Sequence, residues 1–307
     1  MTDVAFAALR RRLQLGGGRP AQQVTDAARA RDDTPRIRVA EVMEPPLRAI
    51  RCPAPTPWGA PVAFLDGIQR TELLGSVGTE PLVAARIAAG VRCRTDRLLE
   101  GAVHRVSHVV VGRPEALDVL GTLSPGWQAI PLTEDLEPHP YAIRDAARAA
   151  IDRARMGLEL EVARRFRETD REAWLLVDGT LTSSPDWATD PRMIGLVKSH
   201  TTLPFTGDDL ERYLTLPVGH RSSAYMPPTR SVTPIHAFGL RLWPFAGRDL
   251  LHGLLRVERA PTASALVEAD LIAARLFAER APLANDPRAD RLLYGIHAVE
   301  RWLGAIA

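Results

Sequence analysis

Cysteine and lysine are nearly missing from this chain, and each shortage removes a class of explanation. The 307 residues include two cysteines, Cys52 and Cys93, which share no metal-ligand spacing, so neither a disulfide framework nor a cysteine zinc site is suggested. No apolar run approaches the roughly 20 residues that a membrane helix needs, and the amphipathic, Arg-containing start from Met1 to Leu15 has no signal-peptide apolar block. The expected location is cytoplasmic. There is no Gly-x-Ser-x-Gly and no cysteine-centred nucleophile signature, and His200, His220, His236 and His252 share no ligand spacing. A net charge of +2 neither requires nor excludes nucleic acid. Of the 39 basic residues all but Lys198 are arginine. Two readings of that lone lysine stand side by side: a coding bias that left it by chance, or a site needing a compact ammonium rather than a planar guanidinium.

What is present is a repeated strand end. Ala173-Trp174-Leu175-Leu176-Val177-Asp178-Gly179 runs from an apolar stretch, covered on both faces, onto a carboxylate and a glycine. Pro61-Val62-Ala63-Phe64-Leu65-Asp66-Gly67 does the same earlier in the chain. Asp-Gly after a strand is also good turn chemistry by itself. Two such ends with an acid between them point instead to carboxylates brought together.

In chain order, Val4 to Leu15 and Ala21 to Arg31 read as helices hinged at Gly16-Gly17-Gly18, within an N-terminal helical extension over 1–35. A Pro-rich connection spans 36–60, and the remaining domain 61–307. Leu82 to Arg94 fits a strand or a short helix, and Arg105 to Gly112 and Trp127 to Leu132 fit strands. The clustering of strands ahead of the first long helix suggests an antiparallel start to a mixed sheet. Tyr141 to Thr169, opened by Pro140, is the longest helical pattern. With Ala147, Ile151, Ala154, Leu158 and Val162 as its buried stripe, Glu161 faces inward and Glu159 lies farther round. Met193 to Ser199 reads as a strand beside the Asp178 strand, ending on Lys198. Asp208 to Leu214 reads as a short helix and Val218 to Pro234 as a long loop. His236 to Trp243 and His252 to Arg259 read as an antiparallel strand pair, Ser264 to Arg280 as one helix, and Leu292 to Ile306 as the last helix. The apolar stripe of that helix (Leu292, Leu293, Ile296, Val299, Trp302, Leu303) and the N-terminal helices are candidate dimer surfaces.

Asp66, Glu161 and Asp178 are the candidate metal ligands: carboxylates of this kind bind hard divalent ions such as Mn²⁺ or Mg²⁺. Such ions suit phosphodiester hydrolysis, where position and charge supply most of the catalysis. Lys198 is the candidate phosphate contact. Arg221, Arg230 and Arg241 form a candidate phosphate-holding group, with Tyr225 and Trp243 as candidate base-stacking rings.

The order Phe64-Leu65-Asp66-Gly67, a helical Glu, Leu176-Val177-Asp178-Gly179-Thr180-Leu181, then Ile194-Gly195-Leu196-Val197-Lys198-Ser199, resembles the NurA nucleases. The closing segment from Asp286 to Arg301 resembles that of bacterial members. The resemblance runs from about residue 60 to the C-terminus. It implies an α/β, RNase H-like mixed sheet flanked by helices, a homodimer, and a manganese-dependent DNA nuclease with 5′–3′ exonuclease and single-strand endonuclease activity. It also implies a HerA-type hexameric ATPase as partner in processing double-strand-break ends. By position, Asp66 matches the first metal-binding Asp, Glu161 the helix Glu and Asp178 the second Asp; His297 stands for the closing catalytic histidine, with Asp286 as rival. Ile68, where the family often has a small hydroxyl residue, and a last segment lacking the usual Tyr-Pro start are departures, and they motivate an alternative: a NurA-like DNA-binding or ATPase-docking module without catalysis.

Overall fold

The computed structural model describes residues 4–20, 35–96, 98–135, 137–228, 233–281 and 293–307. The expected helix at Ala21 to Arg31, together with Arg230, Asp286 and Leu292, lies outside them.

Helix α1 (Val4–Leu15) leads to three long strands: β1 (Val62–Val77), β2 (Glu80–Thr95) and β3 (Leu98–Gly112). These form an antiparallel meander, with Gly78 at positive φ in the tight turn between β1 and β2. Strand β4 (Trp127–Pro131) adds in parallel to β3. Helix α2 (Pro140–Thr169) then crosses back to β5 (Trp174–Asp178), which lies parallel to β1 on the side away from β2; β6 (Met193–Val197) lies parallel to β5. After α3 (Gly207–Leu214), strands β7 (His236–Arg241) and β8 (Leu254–Arg259) form a hairpin whose second strand runs antiparallel to β6. The order across the sheet is β7-β8-β6-β5-β1-β2-β3-β4. The run β3-β2-β1-β5-β6, an antiparallel meander continued by two parallel strands, carries the antiparallel start expected from the strand pattern and matches the RNase H-like arrangement that the resemblance implies.

Three layers result. Val62, Phe64, Trp174, Leu176, Ile194 and Leu196 face α4 (Ala269–Ala278) and α5 (Tyr294–Ile306). The alternate residues Ala63, Leu65, Leu175 and Val177 face Val162, Ala163 and Phe166 of α2. Every side chain from Val62 to Leu65 and from Trp174 to Val177 is buried, which is why both strands read as unbroken apolar runs. The ambiguous stretch 82–94 is strand throughout. Its Ala84, Ala85, Ala88 and Ala89 favour a helix by propensity, yet they and Gly90 are small because helices press on both faces. A Cβ at Gly90 would lie 2.7 Å from the Trp302 ring of α5.

Four expectations are corrected. The stretch Val218 to Pro234 is not a plain loop, since His220–Ser222 and Tyr225–Met226 pair with β7. Ser264 to Arg280 is two helices, Ala263–Val267 and α4, divided at Glu268, whose carboxylate pairs with Arg259 at 2.9 Å. The apolar stripe of α5 is no free surface: Leu293, Ile296, Val299 and Leu303 are buried against its own sheet. Likewise Phe6, Leu9 and Leu13 of α1 are buried on β1 and β2 beside Leu74 and Leu82. Among the described residues no helix is long and apolar enough to cross a membrane.

Candidate active site

Asp66 and Asp178 meet at the centre of the sheet. The parallel ladder of β1 and β5 pairs Leu65 with Val177, and each Asp is the next residue on its strand. The lysine comes from the next strand along. β6 pairs Leu196 with Asp178, and Lys198, just past the end of β6, donates from Nζ to Asp178 Oδ2 at 2.5 Å. The structure therefore brings together Asp66, Asp178 and Lys198.

The third carboxylate is Glu159. The expectation that Glu161 faces inward is corrected: its side chain is about one-third exposed and pairs with Arg105 at 3.2 Å and Arg165 at 3.0 Å. Glu159 is buried. The reason is a rotation of the buried face along the 30-residue helix, which follows a twisting sheet. Ile143, Ala147, Ile151, Arg155, Glu159 and Ala163 succeed one another at four-residue steps, and each step advances the face by about 40°. A stripe held fixed on Ala147 selects Glu161; the stripe that follows the sheet reaches Glu159. Arg155 donates to Glu159 and sits 3.5 Å from the Gly67 carbonyl.

Gly67 makes room for this acid. A Cβ there would lie 2.0 Å from Glu159 Oε1. Its counterpart Gly179 does something else: at φ 134° it turns the chain out of β5, with nothing within 4 Å of the position a Cβ would take.

Burial sets the electrostatics of the site. It raises Asp66 well above the ordinary carboxylate value; Asp178 and Glu159 push the same way, while Lys198 and the Gly67 N–H pull it down. Burial also pushes Glu159 up to about 7 against the pull of Arg155, with Asp178 adding to the rise. A buried group of like charges only partly matched by Lys198 and Arg155 is chemically suited to a further cation. Among the described residues no group of three or more His, Cys, Asp or Glu is arranged to hold a metal ion. The pair Asp66 and Asp178 fits an ion such as Mg²⁺, which is held by one or two carboxylates, its own waters and substrate phosphates rather than by an all-protein cage.

The remaining candidates lie elsewhere. His297, on α5, is partly exposed and sits 3.6 Å from Glu300 of its own helix; among the described residues it makes no hydrogen bond or ion pair with Asp66, Asp178 or Glu159. Arg221 is buried between Glu44 at 2.6 Å and Asp270 at 2.5 Å. Arg241 is fully buried and donates to backbone carbonyls, among them those of Leu216 and Leu250; burial lowers it to about 10. Neither arginine offers a phosphate-binding surface. The Tyr225 ring is wholly buried with its hydroxyl 3.3 Å from that of Tyr213 and so is closed to a base, while the partly buried Trp243 ring carries Arg280 at 4.4 Å.

One residue of the site passed unnoticed in the sequence. Glu258 of β8 is buried and accepts hydrogen bonds from Thr180 Oγ1 at 2.8 Å, the Leu181 N–H at 2.9 Å and Arg256 Nε at 2.9 Å, bracing the turn that follows Asp178. Its signal is the Arg256-Val257-Glu258 alternation, which puts opposite charges on one face of an apolar strand.

No protein-family model matches the chain, and no curated protein is similar to it in sequence. Among solved structures the chain is similar to the NurA nuclease from Sulfolobus solfataricus, at 11% identity over 84% of this chain and 86% of that one, with a TM-score of 0.47.

Proposed function

We propose that this protein is a divalent-cation-dependent DNA nuclease. The observation that carries the reading is the meeting of Asp66 and Asp178 at neighbouring parallel strands, with buried Glu159 across from them and Lys198 beside Asp178. Asp66 and Asp178 are the residues that would hold the ion, with manganese or magnesium as the candidates, and Glu159 takes the place of Glu161 in the set. A bound ion would supply Lewis-acid polarisation of a phosphate and a water acidic enough to attack it. Glu159, whose carboxyl titrates at about 7, is suited to accept a proton near neutral pH. Lys198 is suited to turn from Asp178 to a phosphate oxygen once a cation takes over the carboxylate, its flexible stem allowing the exchange. The open acceptor class is DNA, with 5′–3′ end digestion and single-strand cutting as the expected modes. The sequence resemblance extends the proposal to a homodimer and a HerA-type hexameric ATPase in DNA end processing.

A second reading has its own observation. Lys198 on Asp178 and Arg155 on Glu159 already supply positive charge to two of the three carboxylates. A chain that keeps those pairs permanently is a DNA-binding or ATPase-docking module without catalysis.

Cleavage of labelled single- and double-stranded DNA with Mn²⁺, Mg²⁺ or EDTA, for wild type and Asp178→Ala, separates the two. Metal-dependent cutting lost in the variant supports the nuclease. A folded wild type that binds DNA or the ATPase but never cuts establishes the module.

A further inference from the structure

Beside the turn that follows Asp178 lies a second feature that the carboxylates do not use: an open pocket of about 170 Å³. Its polar lining comes from Arg38, Thr180, Thr202, Arg256 and Glu258, and its apolar lining, the proline wall, from Pro204, Pro227 and Ile235. Glu258 is not free to repel an anion. One of its oxygens accepts from Thr180 and the Leu181 N–H and the other is paired with Arg256 Nε, so Arg256 balances its charge and Arg38 supplies the pocket's net positive charge. The guanidinium of Arg38 and the Thr202 hydroxyl have no side-chain hydrogen bond or ion pair among the described residues, and of the Arg256 nitrogens only Nε has one. Two guanidinium groups with open donors, in a recess that also offers hydroxyls, match the oxygens of a phosphate. At about 170 Å³ the pocket is far roomier than a single water needs, and it can take a phosphate with part of a sugar against the proline wall.

We propose that this pocket is a nucleotide subsite, in which Arg38, Thr202 and the outer nitrogens of Arg256 hold a phosphate of the DNA strand and the proline wall covers its sugar. The proposal rests on the nuclease reading and names where the strand is gripped beside the Asp178 turn. Thr180 belongs to both features, lining the pocket two residues after Asp178, so a phosphate seated here fixes the strand relative to the carboxylates.

The test is binding measured in EDTA, where no cleavage is needed. Fluorescence anisotropy of a labelled, 5′-phosphorylated oligothymidylate is followed over a series of salt concentrations for wild type, Arg38→Ala, Arg38→Lys and Thr202→Val, with each melting temperature recorded. Arg38→Ala is expected to weaken binding about tenfold or more and to flatten the slope of log affinity against log salt by about 0.7, the signature of one lost contact to a single-strand phosphate. Arg38→Lys is expected to keep the slope, and Thr202→Val to weaken binding severalfold at unchanged slope. Affinity within twofold of wild type and an unchanged slope in both Arg38→Ala and Thr202→Val overturns the proposal. In competition, dTMP should displace the oligonucleotide at lower concentration than inorganic phosphate. Equal displacement by phosphate overturns the sugar assignment, and displacement by thymidine as strong as by dTMP overturns the phosphate assignment. Because metal is absent throughout, these results stand apart from the cleavage assay: loss of the subsite leaves the Asp178→Ala comparison intact, and failure of the nuclease reading appears there alone.

Discussion

The chain carries the same dipeptide at the ends of two neighbouring buried segments, and the two copies serve different ends. At Asp66-Gly67 the strand does not stop; β1 continues to Val77, and the glycine's missing side chain is space filled by the Glu159 carboxylate. At Asp178-Gly179 the strand ends, and the glycine supplies a backbone angle of φ 134° in otherwise open space. One glycine is required by its neighbour and the other by its own torsion. Identical letters thus report a close approach in one place and a turn in the other, and only the packing of α2 tells them apart.

Breaking the shared half of the motif should give the largest effect. Asp66→Ala and Asp178→Ala are each expected to lower metal-dependent cleavage on the order of 10³-fold, the loss of several kcal/mol of charge stabilisation, as read from initial rates on labelled DNA. The glycines then sharpen the contrast. In Gly67→Ala the new methyl meets the Glu159 side chain, a flexible one, so Glu159 swings away: cleavage should fall tenfold or more while the unfolding free energy from denaturant titration changes by less than about 1 kcal/mol. Gly179→Ala should show the reverse balance, losing about 1–2 kcal/mol of stability to backbone strain with a smaller change in rate per folded molecule. Equal effects of the two substitutions on both measurements would remove the distinction.

A subtler expectation follows from burial. Asp66 has its carboxyl held above 3.8 in the folded chain, so between that ordinary value and the raised one the native state binds the extra proton. Stability then falls as pH rises through this window, and the penalty is fully present above it. Asp66→Asn removes the penalty. Its melting temperature should match that of wild type below the ordinary carboxylate value and exceed it by a margin that grows as pH rises through this window, provided divalent cations are absent. Adding Mn²⁺ should raise the melting temperature of wild type and leave the variant unmoved. The smallest effect belongs to Glu161→Gln, which disturbs partly exposed pairs with Arg105 and Arg165. It should stay within about 0.5 kcal/mol and within twofold in rate, whereas Glu159→Gln should not.

Much of this arrangement could be read before the structure. Apolar runs at Val62–Leu65 and Trp174–Val177, the long helix opened by Pro140 and the strand leading to Lys198 were legible because burial on both faces leaves unbroken hydrophobic strings. What escaped is what depends on relations between elements. Glu159 was hidden because a stripe on an ideal helix does not rotate with the sheet beneath it. Strand β2 read ambiguously because its alanines and Gly90 answered to the helices packed on both faces, the Trp302 ring among them, rather than to local propensity. The Arg221 group was misleading because composition cannot separate an arginine enclosed by Glu44 and Asp270 from one facing solvent.

The short strand β5 has a further consequence. Its five residues lie between β1 and β6, with hydrogen-bonded neighbours on both sides and helices above and below. Amides in such a position exchange with solvent through global rather than local opening, so Val177 should be among the slowest to take up deuterium. The carboxylate at its end therefore belongs to the last part of the molecule to come apart. Activity, on this account, should persist undiminished up to the cooperative melting transition and disappear with it, with no earlier loss from fraying around Asp178.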